Sequence, residues 1–340
     1  MTAPGLPGEW PAAMPALTSM QAAGDAMSRL RALCLPRAAH RRLIGDSGFF
    51  DRDFYIGTYF RDERRPVSAI DHYLRTGWRR RWSPGPDFDV DWYLTVNFDV
   101  AAAGQEPLQH YLLHGREEAR LRSPAHKAAV KALMMRFQSF GFNCEFGTVQ
   151  RFFGAEPLDL FRFAGTPSIH ELARALRERL AAFRNPDGIE IDHVPWDETG
   201  GLRAERGVEM GAIVREHGFW LHAGRDQHDP DALRRIQTQK LRRLSLKLIE
   251  DLERGHRICV YLCGGDARPA IEDLADAIGA YGPTWLLWVS GSEAGRSSGS
   301  LARIGPRLLH GHVDTSSLAS IRYADWLAVC EAAASVVDTA

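Results

Sequence analysis

The sequence predicts an α/β protein with a mainly parallel sheet flanked by helices, preceded by a small helical repeat region. Three observations carry this expectation. From about Ala128 onward, continuous apolar runs alternate with amphipathic helical patterns, the texture of strands covered by helices on both faces. Between residues 49 and 127 one unit occurs twice at a fixed offset of 38 residues. Hydrophobic content of 45% and charged content of 25% over 340 residues allow a large core together with an appended smaller region.

Taken in order, residues 1 to about 16 are rich in Pro, Ala and Gly and are expected to be poorly ordered. Leu17, Met20, Met27, Leu30 and Leu33 then predict one helix that stops before Pro36. Residues 1–48 are therefore read as a partly disordered segment with one helix. In the repeat, "FDRDFYIGTYF" at Phe50 matches "FDVDWYLTVNF" at Phe88, and "HYLRTG" at His72 matches "HYLLHG" at His110. Each unit is predicted to form two short helices, the second ending at a glycine cap, Gly77 or Gly115.

The α/β region, residues 128–340, contains "SFGFNCEFGTVQRFFG" from Ser139 to Gly154. Alternation up to Phe142 predicts a strand, Asn143 suits an N-cap, and Cys144 would open a helix that buries Phe146, Val149 and Phe153. Ser168 and Glu171 form a capping box, ahead of a buried stripe at Leu172, Leu176, Leu180 and Phe183. Strand-like runs follow at "IEIDHV" and "GFWLHAG". A long helix comes next, with Leu233, Ile236, Leu241, Leu244, Leu248 and Leu252 facing inward and Gly255 ending it. Strands at "RICVYLC", "TWLLWVSG" and "RLLHGHVD" alternate with a helix near Arg268, and a last helix begins near Tyr323.

Bulk properties narrow the function. A net charge of −1 argues against a dedicated nucleic-acid binder. No apolar run reaches the length of a membrane span and no signal-peptide pattern is visible, so a cytoplasmic location is expected. The five cysteines include no CxxC pair, and Cys259 and Cys263 read as two buried, inert thiols on one strand face. The loop "GSEAGRSSGS" from Gly291 lacks both a phosphate-loop ending and GxGxxG, and reads as a surface loop or lid. No cofactor is expected. The basic face of the long helix, from Arg234 to Lys247, reads as a solvated surface.

Chemistry has three candidate seats. Cys144 would sit at the carboxyl end of a strand and the start of a helix, where a thiolate is stabilised, although the neighbouring Glu145 opposes a second negative charge. A small apolar residue filling a corner is the competing reading. Trp78, Arg80 and Trp82 flank or belong to an arginine run able to hold an anionic sugar or phosphate by charge and stacking. His310, His312 and Asp314 alternate along one strand face and offer metal-ligand chemistry, the basis of a weaker reading as a metal-dependent hydrolase.

The run "GFNCEFGTVQRFFGAEPLDLFRFAG", Gly141 to Gly165, resembles the signature of a bacterial family described as papain-like cysteine peptidases. Gly141, Asn143, Cys144, Glu145, Arg151, Gly154, Pro157, Arg162 and Phe163 carry the resemblance, and a later "W-x-H" element matches Trp220 and His222. The resemblance implies Cys144 as nucleophile and His222 as general base, with Asp266 or Asp314 orienting the imidazole. Asn143, backbone N–H groups and Arg162 would support an oxyanion or the site around it. His193, His217 and His228 compete with His222 for the role of base. The repeats resemble short "FD-x-x-(W/Y)-Y-L … HYL-x-x-G" units of bacterial proteins tied to glycosyltransfer and surface polysaccharide. They hint at a glycan-related context, with polysaccharide-synthesis proteins as partners; the expected substrate is a small molecule, a peptide or a glycan. A non-catalytic binding or assembly protein for glycan synthesis is the alternative to a thiol hydrolase.

Overall fold

Residues 37–61, 64–141, 143–166, 168–193, 209–225, 229–264, 267–314 and 320–340 are described by a computed structural model. The expected helix from Leu17 to Leu33 lies outside them. The chain divides into two units between Arg116 and Glu117, ahead of the expected boundary at residue 127.

The first unit contains α1 (Arg37–Asp46), α2 (Arg52–Tyr59), α3 (Ala69–His72), α4 (Val90–Val96), α5 (Phe98–Ala102) and α6 (Pro107–His110). Asp51 and Asp89, one per repeat, cap α2 and α4 through their carboxylates. Helices α3 and α6 each continue into a single π-helical turn, Tyr73–Gly77 and Tyr111–Gly115. This corrects the expectation of glycine caps. Gly77 keeps right-handed helical dihedrals, and a methyl group there would collide with the Tyr55 hydroxyl, as one at Gly115 would with that of Tyr93. The same hydroxyls meet His72 Nδ1 at 2.9 Å and His110 Nδ1 at 3.0 Å. Each glycine is thus the seat of a buried tyrosine that is itself tied to an imidazole.

The second unit contains α7 (Pro124–Met135), α8 (Glu145–Phe152), α9 (Ile169–Arg177), α10 (Pro230–Arg254), α11 (Arg268–Gly279) and α12 (Tyr323–Asp338). Its strands are β1 (Phe137–Ser139), β2 (Ala164–Gly165), β3 (Ile189–His193), β4 (Glu209–Val214), β5 (Phe219–Arg225), β6 (Ile258–Leu262), β7 (Trp285–Ser290), β8 (Leu301–Gly305) and β9 (Leu308–His312). Five strands form one sheet in the order β1-β6-β7-β9-β8, parallel except for β8. Successive residues feed opposite cores: Cys259, Tyr261, Leu286 and Trp288 meet α9, α10 and α11, while Ile258, Val260, Leu287 and Val289 meet α7, α8 and α12. A second sheet, β2-β5-β4-β3, is wholly antiparallel. The expectation of a mainly parallel sheet therefore holds for the first sheet and fails for the second. β4 and β5 are joined by only Arg215 to Gly218, too short for the crossover that a parallel pair requires.

Arg257 fastens the sheet that leads to Cys144. It is buried, forks onto Asp159 at 2.5 and 2.8 Å, and donates to the Phe137 carbonyl at 2.5 Å. Burial disfavours its charge, but the Asp159 carboxylate outweighs this and holds its pKa above the usual range. In α10, Leu233, Leu241, Leu248 and Leu252 are buried as expected, whereas Ile236 is exposed. Gly255 ends the helix in the left-handed conformation. Among the described residues, no helix is long and apolar enough to cross a membrane.

Candidate active site

β1 ends at Ser139, three residues short of the expected strand end, although Phe140 N–H still donates to Val260 O at 2.9 Å. Gly141 then turns the chain at φ +82°, and any Cβ placed there would collide with Thr166 Oγ1. The turn delivers Cys144 as the N-cap of α8, with Glu145 as its first residue. Asn143 therefore sits one position before the cap and reaches over it, its Oδ1 accepting Glu145 N–H at 2.9 Å. Phe146, Val149 and Phe153 bury the inner face of α8 as expected. Glu145 is fully buried, and its Oε1 accepts from Trp326 Nε1 at 2.7 Å.

His222 comes from β5 of the antiparallel sheet. Its Nε2 lies 3.9 Å from Cys144 Sγ, and both residues are half-buried. A register shift between Met210 and Gly211, opposite Ala223, adds an irregularity beside His222, the kind of device that re-aims a side chain. Trp220 is paired with Gly165, whose missing side chain makes room for the indole. The indole meets the His222 ring edge-on at 5.0 Å. The Trp-x-His element thus puts an indole and an imidazole side by side on the same face of one strand.

The remaining expected site residues divide. Arg162 is buried and donates to Gly147 O at 3.2 Å, Ala155 O at 2.9 Å and the Glu156 carboxylate. It clamps α8 to the segment that follows through its two terminal nitrogens. Asp266 lies outside the described residues. Asp314 is exposed, and its Oδ1 accepts Ser292 N–H at 2.8 Å, which depresses its pKa. His217 is buried against Glu171 and Glu178 at 3.2 Å each, a structural position. The side chains of His193 and His228 lie outside the described residues. Asp192 went unnoticed in the sequence. It pairs with Gly211, which pairs with His222, so the carboxylate and the imidazole share one sheet face with no side chain between them.

The other cysteines contrast with Cys144. Burial pushes the Cys263 thiol up to about 11, and raises those of Cys259 and Cys330 further. Among the described cysteines only Cys144 is other than buried.

The other two seats are rearranged. Trp82 is no open stacking face, because it lies flat on Tyr59, centroids 4.5 Å and planes 2° apart, with Arg80 over its ring at 5.2 Å. Burying an indole in the repeat core outweighs presenting it to solvent. Trp78 instead lines a cavity of about 460 Å³ within the first unit, with Arg37, Arg75, Arg79, Glu106 and His110. Arg79, rather than Arg80, stacks on Trp78 at 4.4 Å. On β9, His310 and His312 gather with Glu293 instead of Asp314.

No protein-family model, curated protein or solved structure matches this chain.

Proposed function

We propose that the protein is a thiol hydrolase in which Cys144 attacks the carbonyl of an amide, ester or thioester and His222 moves the protons. The observation that carries this reading is the 3.9 Å approach of Sγ and Nε2 at a half-exposed helix start. Such contacts are looser in unliganded enzymes and tighten on substrate binding. His222 Nε2 takes the thiol proton as sulfur bonds to the carbonyl carbon. The imidazolium returns that proton to the leaving nitrogen, oxygen or sulfur as its bond to carbon breaks. Water, deprotonated by His222, then cleaves the acyl-thioester and regenerates the thiol. Asn143 Oδ1 is turned to Glu145 N–H, which leaves its Nδ2 hydrogens as donors for the oxyanion.

The test is alkylation by a limiting electrophilic thiol probe, followed by turnover across amide, ester and thioester substrates. Cys144 should react far faster than Cys330, and Cys144→Ala should lose turnover. Equal reactivity of the two cysteines, with unchanged turnover in Cys144→Ala, removes the hydrolase reading.

The arginine-lined cavity beside Trp78 supports a second reading, a binding or assembly protein for glycan synthesis. Its ligand would be an anionic sugar, held by Arg37, Arg75 and Arg79 with one face against the indole. Trp78→Ala should abolish retention on an anionic-glycan array while leaving thiol reactivity intact. Equal retention by the variant and its parent counts against the site.

A further inference from the structure

A second cluster occupies the same edge of the parallel sheet, at the carboxyl ends of β7 and β9. Trp288 is in register with His310, and Ser290 with His312. The His310 ring lies flat on Trp288, with centroids 3.7 Å apart. The two imidazoles are 5% and 0% exposed, and their centroids are 4.2 Å apart.

Their neighbours assign the protons. His312 Nδ1 lies 3.1 Å from the Gly291 carbonyl oxygen, which only accepts. Nδ1 therefore carries the hydrogen and Nε2 presents its lone pair. His310 Nδ1 lies 3.4 Å from Arg296 Nη1, which only donates, so this nitrogen presents the lone pair. His310 Nε2–H then donates to Ser290 Oγ at 2.8 Å, and the Ser290 hydroxyl donates to Gly291 O at 3.2 Å. This direction rules Ser290 and His310 out as a nucleophile–base pair, because the imidazole gives a hydrogen to the hydroxyl instead of taking one.

Both lone pairs converge on one guanidinium nitrogen. Arg296 Nη1 is 3.5 Å from His312 Nε2 and 3.6 Å from Glu293 Oε1. His312 Nε2 and Glu293 Oε1 are 3.9 Å apart, and one ligand atom from each of Glu293, His310 and His312 fits within 4.8 Å of the others. Two ligands of a tetrahedral zinc ion, each about 2.0–2.1 Å from the metal, stand roughly 3.3 Å apart. The cluster is slightly expanded from that geometry around a positive charge already in place.

We propose that His310 Nδ1, His312 Nε2 and the Glu293 carboxylate form a site for a zinc-class divalent cation, whose seat Arg296 fills when the metal is absent. Two imidazoles and one carboxylate favour zinc, cobalt or nickel over magnesium or calcium. The supporting shell is built: Gly291 O holds the His312 Nδ1–H, and Ser290 Oγ holds the His310 Nε2–H. The Arg296 side chain is 40% exposed and that of Glu293 56%, so the guanidinium has solvent to move into and the carboxylate can close. A water molecule would complete the tetrahedron.

The test is titration of the metal-stripped full chain with Co²⁺, read by its visible d–d absorption, and with Zn²⁺ by calorimetry. One equivalent should bind, with tetrahedral cobalt intensity and no sulfur-to-cobalt charge-transfer band. Arg296→Ala should tighten binding, and Glu293→Gln, which removes a direct ligand, should weaken it by at least the roughly 10- to 100-fold that loss of an outer-shell partner costs. Glu293 is exposed and Arg296 half-buried, and unchanged far-UV circular dichroism confirms that each variant folds. The proposal is overturned if neither the parent nor Arg296→Ala binds saturably. It is equally overturned if a charge-transfer band appears, or if Glu293→Gln binds as the parent does.

Discussion

The two sheets of residues 117–340 show two ways of using a strand. In the five-stranded sheet β1, β6 and β7 are covered on both faces, and every residue of β7 from Trp285 to Ser290 is buried. The four-stranded sheet packs one face on the core through Ala212, Val214, Phe219 and Leu221, and turns Asp192, Gly211, Trp220 and His222 the other way. The parallel sheet fixes where Cys144 begins. The antiparallel sheet supplies what faces it. A buried sheet provides rigidity but little exposed chemistry, while a sheet with one open face can carry a side chain into a cleft.

Substitutions should separate the two roles. His222→Ala should slow alkylation of Cys144 and turnover by about 10²- to 10⁴-fold, with the urea midpoint nearly unchanged. A shifted midpoint with intact reactivity would reverse the assignment of that sheet. Arg257→Ala should do the opposite. It removes the guanidinium that forks onto the buried Asp159 carboxylate, leaving Lys247 Nζ at 3.9 Å, and should cost up to about 3–5 kcal/mol of stability by urea denaturation. Gly165→Ala pushes a methyl group into the Trp220 indole. It should cost about 1–3 kcal/mol and also slow Cys144, since the indole walls His222. Asp192→Asn should lower turnover by about ten-fold, equivalent to roughly 1.4 kcal/mol, while Asp314→Asn leaves it unchanged. The reverse ranking would return the orienting role to the parallel sheet.

A different kind of effect is a pH slope in the helical cover of the parallel sheet. Burial, with Arg122 beside it, depresses His126 of α7 to about 4. The unfolded chain binds this proton near pH 6.5 and the folded chain does not. Stability should therefore fall as pH drops from about 6.5 towards 4, and His126→Gln should flatten that part of the urea-midpoint profile.

Much of this is legible in the sequence. The apolar runs of β6, β7 and β9 announce strands buried on both faces, and the Cys144 helix announces its stripe. The antiparallel sheet was not legible as a sheet, because β2 is two residues long and no local pattern says which strand Ala164 joins. The glycines of the repeats look like caps because they follow helices, yet each is explained by a tyrosine 22 residues earlier. Glu293 sits in a Gly/Ser-rich loop with no periodicity, so only folding brings it beside His310 and His312. Asp192 was hidden for a similar reason, since its relation to His222 runs sideways across β4. Sequence periodicity reports which face a residue takes, and pairing register decides whom it meets.

One further consequence follows from the repeats. The tyrosine, imidazole and glycine that lock together belong to one copy each, but a bond between copies is not reciprocated. The Tyr73 hydroxyl of the first copy donates to Glu106 of the second at 2.5 Å. Thirty-eight residues earlier the first copy has Ser68 in the position of Glu106, where it caps α3. The duplicated segments are consequently not interchangeable. Exchanging their order along the chain would keep every internal lock and forfeit this hydrogen bond between the copies.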